Sequence, residues 1–593
     1  MTEIIMGIDL GTTNSEVAVF QNGQMRVLAN AAGERIVPSF VGLADDGTLL
    51  VGQPARNQYI VHPERTIKSI KRRMGEAIQV AMGSVSYTPQ EISAMILRHL
   101  REIAEAALGH AVQKAVITVP AYFSDVQRQA TREAGEIAGL EVVRIIQEPT
   151  AAALAYEAGH RGSRRILVYD LGGGTFDVSV VRIEDDVVEV ISSHGNNHLG
   201  GDDFDQKIVD HLVAHLQQEQ GIDIKSDALA MARLLRSAEA CKRQLSDHPF
   251  ATIEEEYLTE QAGKPIHLVK ELSRQEYEEM ITPFIEETLA AVHTALNGAG
   301  LTASAMDEVL LVGGATRTPL VRERLKEVFG LVPRSEIDPD LCVAMGAAIQ
   351  AAVIGGEKAS SVLVDVTPYT FGTNVVGELD GYWRPFVFSP IIRKNTPIPV
   401  SRSEVYFTMS DNQKIVDVSI YQGEHLDALQ NIRIGDFRVE GLSAVPSGNE
   451  IILRLDLDLD GILRVTAREK RTGLEKHITI ENAMTKLGEQ HLNEARSRVA
   501  ALFADNADEA DVTEDADDQG NPVPAPARNH QDVVQAKALV EKAERMLEQA
   551  TPDDREEMVN LVEQIRDGLA AGDTAAVKKG CETLAEILFY LES

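Results

Sequence analysis

The sequence has few cysteines, few aromatic residues and far fewer basic than acidic residues. Its three cysteines, at positions 241, 342 and 581 of a 593-residue chain, are widely separated. This spacing fits neither a disulfide framework nor a cysteine-based metal site, and it favours reduced thiols in the cytoplasm. No neighbouring motif favours a catalytic cysteine.

The chain also lacks positive charge and long apolar runs. Lys and Arg number 57 against 91 Asp and Glu, a formal net charge of −34. Duplex nucleic acids need clustered Lys and Arg, so we expect no nucleic-acid partner. No apolar run reaches transmembrane length, and the N-terminus lacks the basic and apolar segments of a signal peptide. We therefore expect a cytoplasmic protein of several domains that does not contact membranes.

Two glycine-rich hairpins organise the first half of the chain. Residues 167–180 read as a strand, a turn of three glycines and a second strand, and residues 5–19 repeat the pattern. Glycines let backbone N–H groups approach a phosphate, while Asp9 and Asp170 before the turns offer oxygen ligands for Mg²⁺. One such turn is more often an ordinary bend. Two copies indicate a duplicated lobe that closes on a nucleotide.

Three further patterns place polar side chains beside strand ends or turns. Residues 309–319 lead from a strand through glycines into a helix, which aims N–H groups and Arg317 at a ligand. Glu148 follows a buried strand, although the proline after it requires a turn there anyway. Lys71 lies in a basic cluster, residues 66–75, and such lysines are usually solvated.

A predicted helix at residues 226–245 carries four polar side chains on one face. Glu239, Lys242 and Arg243 share that face, and Ser246 lies just past the predicted end. As a bare pattern this is an ordinary salt-bridged surface, and only a nearby ligand would give it a binding role.

The second half of the chain changes character twice. Residues 366–483 alternate in period two with frequent turns, which predicts a β-sandwich. A short apolar linker, 358–365, precedes it. The period is helical in 484–593, interrupted at 504–527 by an acidic, proline-containing stretch that we expect to be a disordered insert.

This order of motifs resembles the 70-kilodalton heat-shock chaperones, the Hsp70 or DnaK family, over essentially the whole chain. The most telling strings lie at 7–15, 119–123, 148–153, 170–177 and 312–314. The resemblance implies an actin-like α/β ATPase domain of two ribonuclease H-like halves (1–357), a β-sandwich peptide-binding domain and an α-helical lid. An insert at 382–385 and strings at 388–392 and 399–402 resemble its HscC branch more than DnaK itself.

The resemblance implies ATP or ADP with Mg²⁺ as cofactors and assigns roles in hydrolysis. The residues that match catalytic positions are Lys71, Glu148, Asp170 and Thr175. Those that match Mg²⁺ positions, largely through water, are Asp9, Asp170 and Asp177. The nucleotide-contacting positions are matched by Gly11, Thr12, Thr13, Asn14, Gly172, Gly173, Gly174, Thr175, Gly200, Gly201, Glu239, Lys242, Arg243, Ser246, Gly313, Gly314, Arg317 and Asp340.

The same resemblance implies a relay from the nucleotide to a peptide groove. The relay and linker positions are matched by Pro120, Arg128, Arg144, Val362, Leu363, Val364 and Asp365. The groove positions are matched by Phe371, Val376, Tyr406, Met409, Val416 and Val418. The implied partners are unfolded or client polypeptides and a J-domain co-chaperone, and we expect a monomer. The linker is less leucine-rich than is usual in the family, which predicts weaker docking. A shortened segment between 75 and 87 leaves the exchange factor open.

Two other functions fit the two glycine-rich hairpins, namely a metabolite kinase and a filament-forming ATPase on the same actin-like fold. Both leave the predicted sandwich and helical tail without a role. The expected function is therefore ATP-dependent chaperoning, in which hydrolysis controls the capture and release of short apolar segments.

Overall fold

A computed structural model describes residues 4–21, 23–157, 162–184, 187–261, 263–335, 338–357, 362–479 and 489–510, with single helical positions between 555 and 584. The chain divides into two compact units, 1–506 and 507–593. Nearly all of the described residues belong to the first unit. Most of the predicted insert and the helices predicted after it lie outside the described residues.

The first lobe of the N-terminal half is built on a six-stranded mixed sheet with the order β11-β10-β1-β2-β3, in which β4 also pairs with β2. The strands of the whole first lobe, including those of two smaller sheets (β5–β7 and β8–β9), are β1 (Met6–Leu10), β2 (Asn14–Gln21), β3 (Gln24–Val27), β4 (Val37–Pro38), β5 (Phe40–Leu43), β6 (Leu49–Val51), β7 (Thr66–Lys68), β8 (Val80–Met82), β9 (Val85–Tyr87), β10 (Lys114–Val119) and β11 (Glu141–Gln147). Its helices are α1 (Gln53–Tyr59), α2 (Pro89–Leu108) and α3 (Asp125–Ile137).

Local sequence explains where these helices begin. The Thr88 side chain accepts a hydrogen bond from the Glu91 N–H, and the Glu91 carboxylate accepts one from the Thr88 N–H. This capping box, with a proline at the first helical position, fixes the start of α2. Ser124 and Gln127 cap α3 in the same way.

The second lobe repeats the sheet of the first. Its strands are β12 (Arg164–Leu171), β13 (Phe176–Glu184), β14 (Val187–Asn196), β15 (Phe250–Gln261), β16 (Lys264–Ser273) and β17 (Glu308–Val312). Its helices are α4 (Glu148–Glu157), α5 (Gly201–Gln220), α6 (Ala228–Asp247), α7 (Arg274–Gly298), α8 (Pro319–Phe329) and α9 (Cys342–Ile354). In both lobes a central strand pairs antiparallel with the next strand and parallel with a later one: β1 with β2 and β10, and β12 with β13 and β17. This shared topology agrees with the predicted duplication.

Two buried alanine-rich helices, α4 and α9, cross where side chains are nearly absent. A β-carbon on Gly346 would lie 1.7 Å from the Ala151 carbonyl oxygen, and one on Gly7 would lie 2.2 Å from the Ala348 nitrogen. Only glycine allows backbones to approach this closely. α9 therefore packs backbone to backbone on α4 and on β1 of the first lobe.

The strand-rich region after the lobes forms two antiparallel four-stranded sheets, with the orders β20-β19-β23-β24 and β22-β25-β26-β27. The strands of these two sheets are β19 (Phe371–Leu379), β20 (Tyr382–Ile392), β22 (Val400–Phe407), β23 (Ile415–Gln422), β24 (Ile432–Glu440), β25 (Glu450–Leu457), β26 (Leu463–Glu469) and β27 (Glu475–Thr479). Two further strands of this region, β18 (Val362–Val366) and β21 (Pro397–Ile398), belong to the sheet of the second lobe. Apolar residues of both sheets share one core, with Ile420, Leu455 and Val465 fully buried. The period-two pattern predicted this sandwich.

The described part of the predicted linker, residues 362–365, lies in a strand. β18 pairs in parallel with β14 of the second lobe and antiparallel with β21 at the sandwich. It therefore extends the sheet of the second lobe to the sandwich.

The last described helix, α10 (Glu489–Ala510), packs on the first lobe. Ala495 and Val499 are buried in that lobe's core, and Arg498 lies 2.5 Å from the Glu91 carboxylate. The helix continues beyond residue 504, where we predicted the disordered insert to begin, so that boundary was wrong. Residues 504–510 include three alanines, a strong helix former, which helps explain why the acidic composition does not end the helix there. None of the described helices is both long and apolar enough to span a membrane.

The helix crossing predicts a strong effect at Gly346. Gly346→Val places branched carbon atoms against the Ala151 backbone, which cannot move aside, so we expect a loss of at least about 3 kcal/mol in the free energy of unfolding. Thermal unfolding of the variant measures the loss. Ile354→Val, at the exposed end of the same helix, is the control and should change stability little. A melting temperature equal to wild type in Gly346→Val would contradict the close crossing.

Candidate nucleotide site and interdomain interface

The two glycine hairpins meet face to face. A β-carbon on Gly173 would lie 1.8 Å from the Thr13 hydroxyl oxygen, and one on Gly174 would lie 2.4 Å from the Thr12 methyl carbon. Side chains at these positions would therefore push the loops apart. The β1–β2 and β12–β13 turns form the two walls of a cleft between the lobes.

Most of the predicted nucleotide residues line this cleft. The predicted residues along its walls are Asp9, Gly11, Thr12, Thr13, Asn14, Lys71, Glu148, Asp170, Gly172, Gly173, Thr175, Gly313, Gly314 and Asp340. Gly174 and Gly200 support the cleft by packing against its loops rather than lining it. The Asp177 carboxylate instead accepts a hydrogen bond from the Tyr122 N–H at 2.9 Å.

A buried ion pair lies at the centre of the cleft. The Lys71 ammonium, 4% exposed, pairs with the Glu148 carboxylate. Burial disfavours the charge on Lys71, but Glu148, Asp9 and Asp170 outweigh it and raise the pKa of the lysine. Lys71 is therefore a permanent cation inside the protein. The composition of residues 66–75 favours a solvated surface, but Lys71 is buried.

Acidic side chains outnumber basic ones around this lysine. Burial is the main cause that raises the pKa values of Asp9 and Asp170, and neighbouring carboxylates add to it. The pKa of Glu148 rises to about 8 by burial, opposed by Lys71 and assisted by Asp9. A site of this composition favours a cation as ligand. Among the described side chains no group of three or more metal ligands is close enough to bind an ion directly.

The cleft also holds unpartnered hydrogen-bonding groups. The Thr12 hydroxyl is buried and has no hydrogen-bond partner in the described part of the chain. Buried polar atoms are ordinarily paired, so this hydroxyl is free to bond a ligand. Together with the side-chain-free turns, it fits a phosphate group.

The face of α6 predicted from spacing is held by ion pairs and hydrogen bonds. Glu239 pairs with Arg56 at 2.6 Å and with Arg243 at 2.7 Å, and Lys242 bonds the Gly201 carbonyl oxygen at 3.0 Å. Ser246 lies inside α6 rather than past its end, because the helix continues to Asp247. Its hydroxyl donates to the Lys242 carbonyl oxygen at 3.3 Å.

Arg317 and Asp340 meet at the turn after β17. The Arg317 guanidinium lies 2.8 Å from Asp340 and 2.9 Å from Asp338. The turn that carries Arg317 is a short 3-10 helix, Gly314–Arg317, before α8.

Two residues of the site were missed in the sequence. Glu16 is buried, lines the cleft and lies opposite Asp9 in the β1–β2 ladder. A glutamate in a strand otherwise rich in valine was the available signal. Arg56 bridges to Glu239 from 183 positions away. Nothing local to Arg56 predicted that contact.

Comparison with known proteins agrees with this geometry. The Hsp70 protein family model matches residues 5–82 and 76–591. The chain is 42% identical over 587 residues to the chaperone protein DnaK of Thermotoga neapolitana, covering 97% of this chain and 94% of that protein. It is also 42% identical over 586 residues to the chaperone protein DnaK of Thermosipho africanus, with the same coverage.

The chain belongs to the Hsp70 family. This confirms the predicted resemblance and the prediction of an ATP-dependent chaperone and ATPase, and it does not favour the kinase and filament alternatives. The family also supports nucleotide as the ligand of the cleft.

In this Hsp70 the predicted relay residue Arg128 lies beside the end of the linker and Gly461 of the sandwich. Arg128, 4% exposed, donates to the Ala121 and Phe123 carbonyl oxygens at 3.0 and 3.2 Å. Asp365 of β18 is buried nearby, and burial raises its pKa to about 6 against the opposing charge of Arg128. Pro120 is buried at the end of β10.

A single carboxylate on the sandwich contacts the first lobe at several points. Asp460, in the β25–β26 turn, pairs with Arg132 and accepts from the Ile145 N–H at 3.0 Å. Arg144 lies 3.7 Å from it. Asp460 and Arg132 were not predicted, whereas Arg144 was. The contact joins the predicted relay directly to the sandwich.

A second cluster across the interface was also missed. The Lys394 ammonium lies 3.2 Å from His194 Nδ1 and 5.5 Å from the centre of the Tyr122 ring. The Tyr369 hydroxyl donates to the Tyr122 carbonyl oxygen at 2.7 Å. His194 and Tyr122 belong to the lobes, and Lys394 and Tyr369 follow the linker.

The structure brings together four of the six predicted groove residues. Phe371 and Val418 are buried in the sandwich core, and Tyr406 and Val416 pack against it. Val376 and Met409 lie on the surface, 41% and 68% exposed.

The ion pair in the cleft predicts the phenotype of a lysine variant. Lys71→Met keeps the volume but removes the cation that would stabilise charge on a transferring phosphoryl group, so we expect ATP turnover to fall by at least about 100-fold. Nucleotide affinity, measured by calorimetry, should change much less. Lys68→Met is the matched control, and hydrolysis at the wild-type rate in Lys71→Met would contradict the catalytic role.

Proposed function

We propose that this Hsp70 binds short apolar segments of client polypeptides in its sandwich and that ATP in the cleft controls their release. Residues 1–357 act as an actin-like ATPase domain, 366–483 as the peptide-binding domain and 484–593 as a helical lid. The observation that carries this proposal is the β18 linker, which is hydrogen-bonded to both the ATPase sheet and the sandwich.

Different cleft residues would have different roles in ATP hydrolysis. The glycine turns and the Thr12 and Thr13 hydroxyls would hold the phosphates. Lys71 would stabilise the charge that develops on the phosphoryl oxygens, with Glu148 fixing the ammonium. Thr175 would orient the attacking water. The carboxylates of Asp9, Asp170 and Asp177 would hold Mg²⁺, largely through its water shell, and the ion would offset phosphate charge when bound.

Adenosine would contact the α6 face and the turns around it. Glu239, Lys242, Arg243, Ser246 and Arg317 are held by ion pairs or hydrogen bonds at that end of the site. These contacts limit side-chain motion and support binding of the base and ribose.

Communication with the sandwich follows from the shared sheet. β14 carries the linker on one side and pairs on the other with β13, which adjoins the phosphate hairpin. A change in lobe closure would therefore shift the strand that holds the linker. We propose that ATP favours this docked arrangement and that its hydrolysis releases the linker.

The docked arrangement favours an open groove. Residues 491–504 of α10 pack on the first lobe, so this part of the helix does not cover the sandwich. In the undocked state the lid would be free to close over a bound peptide. A J-domain co-chaperone, a monomeric state and a cytoplasmic location complete the proposal, which leaves the exchange factor open.

The test is the dissociation rate of a fluorescent apolar peptide, with ADP and after addition of ATP and Mg²⁺. We expect ATP to accelerate release by at least about tenfold. Asp460→Asn removes the charge that Arg132 and Arg144 face and should abolish most of the acceleration while ADP-state affinity is retained. Asp456→Asn, half-buried on β25 and paired with Arg454 of the same strand rather than with the first lobe, is the control. Equal release rates with ATP and ADP in the wild-type protein would contradict the proposal.

The interface also predicts a pH dependence. Burial and the charge of Lys394 lower the pKa of His194 to about 4 in the docked state. In the undocked state we expect this histidine to have an ordinary pKa of about 6.5. The docked state therefore binds fewer protons, and its stability relative to the undocked state should fall as pH drops through that window.

The measurement is ATP-accelerated peptide release between pH 7.5 and about 5. His194→Asn keeps an acceptor for Lys394 but cannot gain a charge, so the difference in pH profile from wild type separates this group from the neighbouring Tyr122 and Glu424. His198→Asn, in the turn just after β14 and exposed, is the control. Identical profiles for wild type and His194→Asn would contradict the prediction.

A further inference from the structure

The turn that carries Lys71 begins in a strained backbone conformation. Lys71 lies in a short 3-10 helix, Ile70–Arg73, and the residue before that helix, Ser69, has φ 52° and ψ 29°. This is the left-handed region, which residues with a β-carbon keep only when the surrounding structure holds them there. Such residues cluster at functional sites, and Ser69 is two positions from the buried lysine of the cleft. A specific contact is therefore expected to hold Ser69.

The Ser69 hydroxyl supplies that contact. A serine in front of a helix usually accepts a hydrogen bond from a backbone N–H of the first turn. The side chain of Ser69 makes no such bond. Its hydroxyl instead donates to the carboxylate of Asp202 at 2.6 Å, in the first turn of α5. Because α5 belongs to the second lobe, this bond joins the Lys71 turn to the opposite lobe.

Asp202 is itself fixed beside both glycine hairpins. Its backbone N–H donates to the Gly173 carbonyl oxygen at 2.7 Å. Its other carboxylate oxygen accepts a hydrogen bond from the Thr13 hydroxyl at 3.3 Å. The carboxylate that holds Ser69 is thus tied to both walls of the cleft, so its position depends on how the two lobes close.

A second contact attaches the same turn to α5. The Arg72 guanidinium pairs with Asp203 and donates from Nε to the Gly174 carbonyl oxygen at 3.0 Å. The Arg72 N–H also donates to the Ser69 carbonyl oxygen at 3.2 Å. Residues on both sides of Lys71 are therefore attached to consecutive carboxylates of the second lobe.

We propose that Ser69 is a positioning residue for ATP hydrolysis, because its hydrogen bond to Asp202 holds the Lys71 ammonium at the reacting phosphoryl group when the lobes are closed. This inference rests on the catalytic role proposed above for Lys71. A cation stabilises a transition state only where the charge develops, and a displacement of about 1 Å can cost a large factor in rate. Neither Ser69 nor Asp202 lines the cleft, so both act through Lys71.

The test uses two variants of equal size. Asparagine and aspartate both tolerate the left-handed region. Ser69→Asn keeps a donor for Asp202, whereas Ser69→Asp places a second carboxylate against it. In single-turnover experiments we expect Ser69→Asp to hydrolyse bound ATP about tenfold more slowly than wild type, as for the loss of one hydrogen bond to a charged group. Ser69→Asn should stay near the wild-type rate. ATP affinity, measured by calorimetry, should change much less in both.

Two further variants separate the bond from other effects. Ser69→Gly adopts the left-handed region freely but has no donor, so it should be as slow as Ser69→Asp. In an Asp202→Ala background, Ser69→Asn and Ser69→Asp should hydrolyse ATP at the same rate, because no carboxylate remains to distinguish them. This comparison also removes the contribution of the Thr13 contact.

Amide hydrogen exchange gives a readout that does not depend on turnover. The Arg72 and Met74 N–H groups are hydrogen-bonded within the turn, to the Ser69 and Lys71 carbonyl oxygens at 3.2 Å each. With ADP bound, both amides should exchange faster in Ser69→Asp than in Ser69→Asn, which should resemble wild type.

Four results would overturn the inference: hydrolysis by Ser69→Asp at the wild-type rate, an equal loss in Ser69→Asn, equal amide exchange in the two variants, or weaker ATP binding with an unchanged rate for bound ATP. The last would make the bond only a contact that closes the cleft. If Lys71→Met has nevertheless lost hydrolysis, the proposed role of the lysine stands. Wild-type hydrolysis in Lys71→Met would instead reject that role, and the inference with it.

Discussion

The position of the sandwich relative to the two lobes depends on one strand of five residues, Val362–Val366. This strand is hydrogen-bonded to two different parts of the protein. On one side it lengthens the sheet that carries a phosphate hairpin, and on the other it meets β21 of the sandwich. A backbone ladder fixes register as well as proximity. The sandwich consequently lies where Asp460 reaches the first lobe and Lys394 reaches His194. Releasing the strand would release both contacts.

The nucleotide cleft supplies the complementary electrostatic constraint. Several buried carboxylates surround one buried ammonium, an arrangement that is costly without a cation and that polyphosphate with Mg²⁺ would complete. The side-chain-free turns, the free Thr12 hydroxyl and the Lys71–Glu148 pair form one site because the two glycine hairpins meet face to face. The cleft and the linker strand thus share a scaffold, the sheet from β17 to β18.

Local patterns predicted the elements better than the contacts between them. The glycine turns after Asp9 and Asp170, the capping box at Thr88 and the period-two strands are readable because their causes lie within a few residues. The Asp460–Arg132 pair spans 328 positions, and no short pattern marks either residue. The resemblance to Hsp70 identified Lys71 and Arg144 as candidate functional residues. Local sequence alone indicated a solvated surface for Lys71 and a strand for Arg144. Acidic composition misplaced the boundary at residue 504, because alanine-rich acidic sequence also forms helix.

The most direct test of the account is amide hydrogen exchange of residues 363–366 in the full-length protein, measured with ATP and with ADP in the hydrolysis-deficient Lys71→Met variant. With ATP, when the strand is paired with β14 and β21, we expect these amides to be protected from exchange. With ADP we expect them to exchange much faster. Equal protection in both nucleotide states would contradict the claim that release of this strand couples the cleft to the groove.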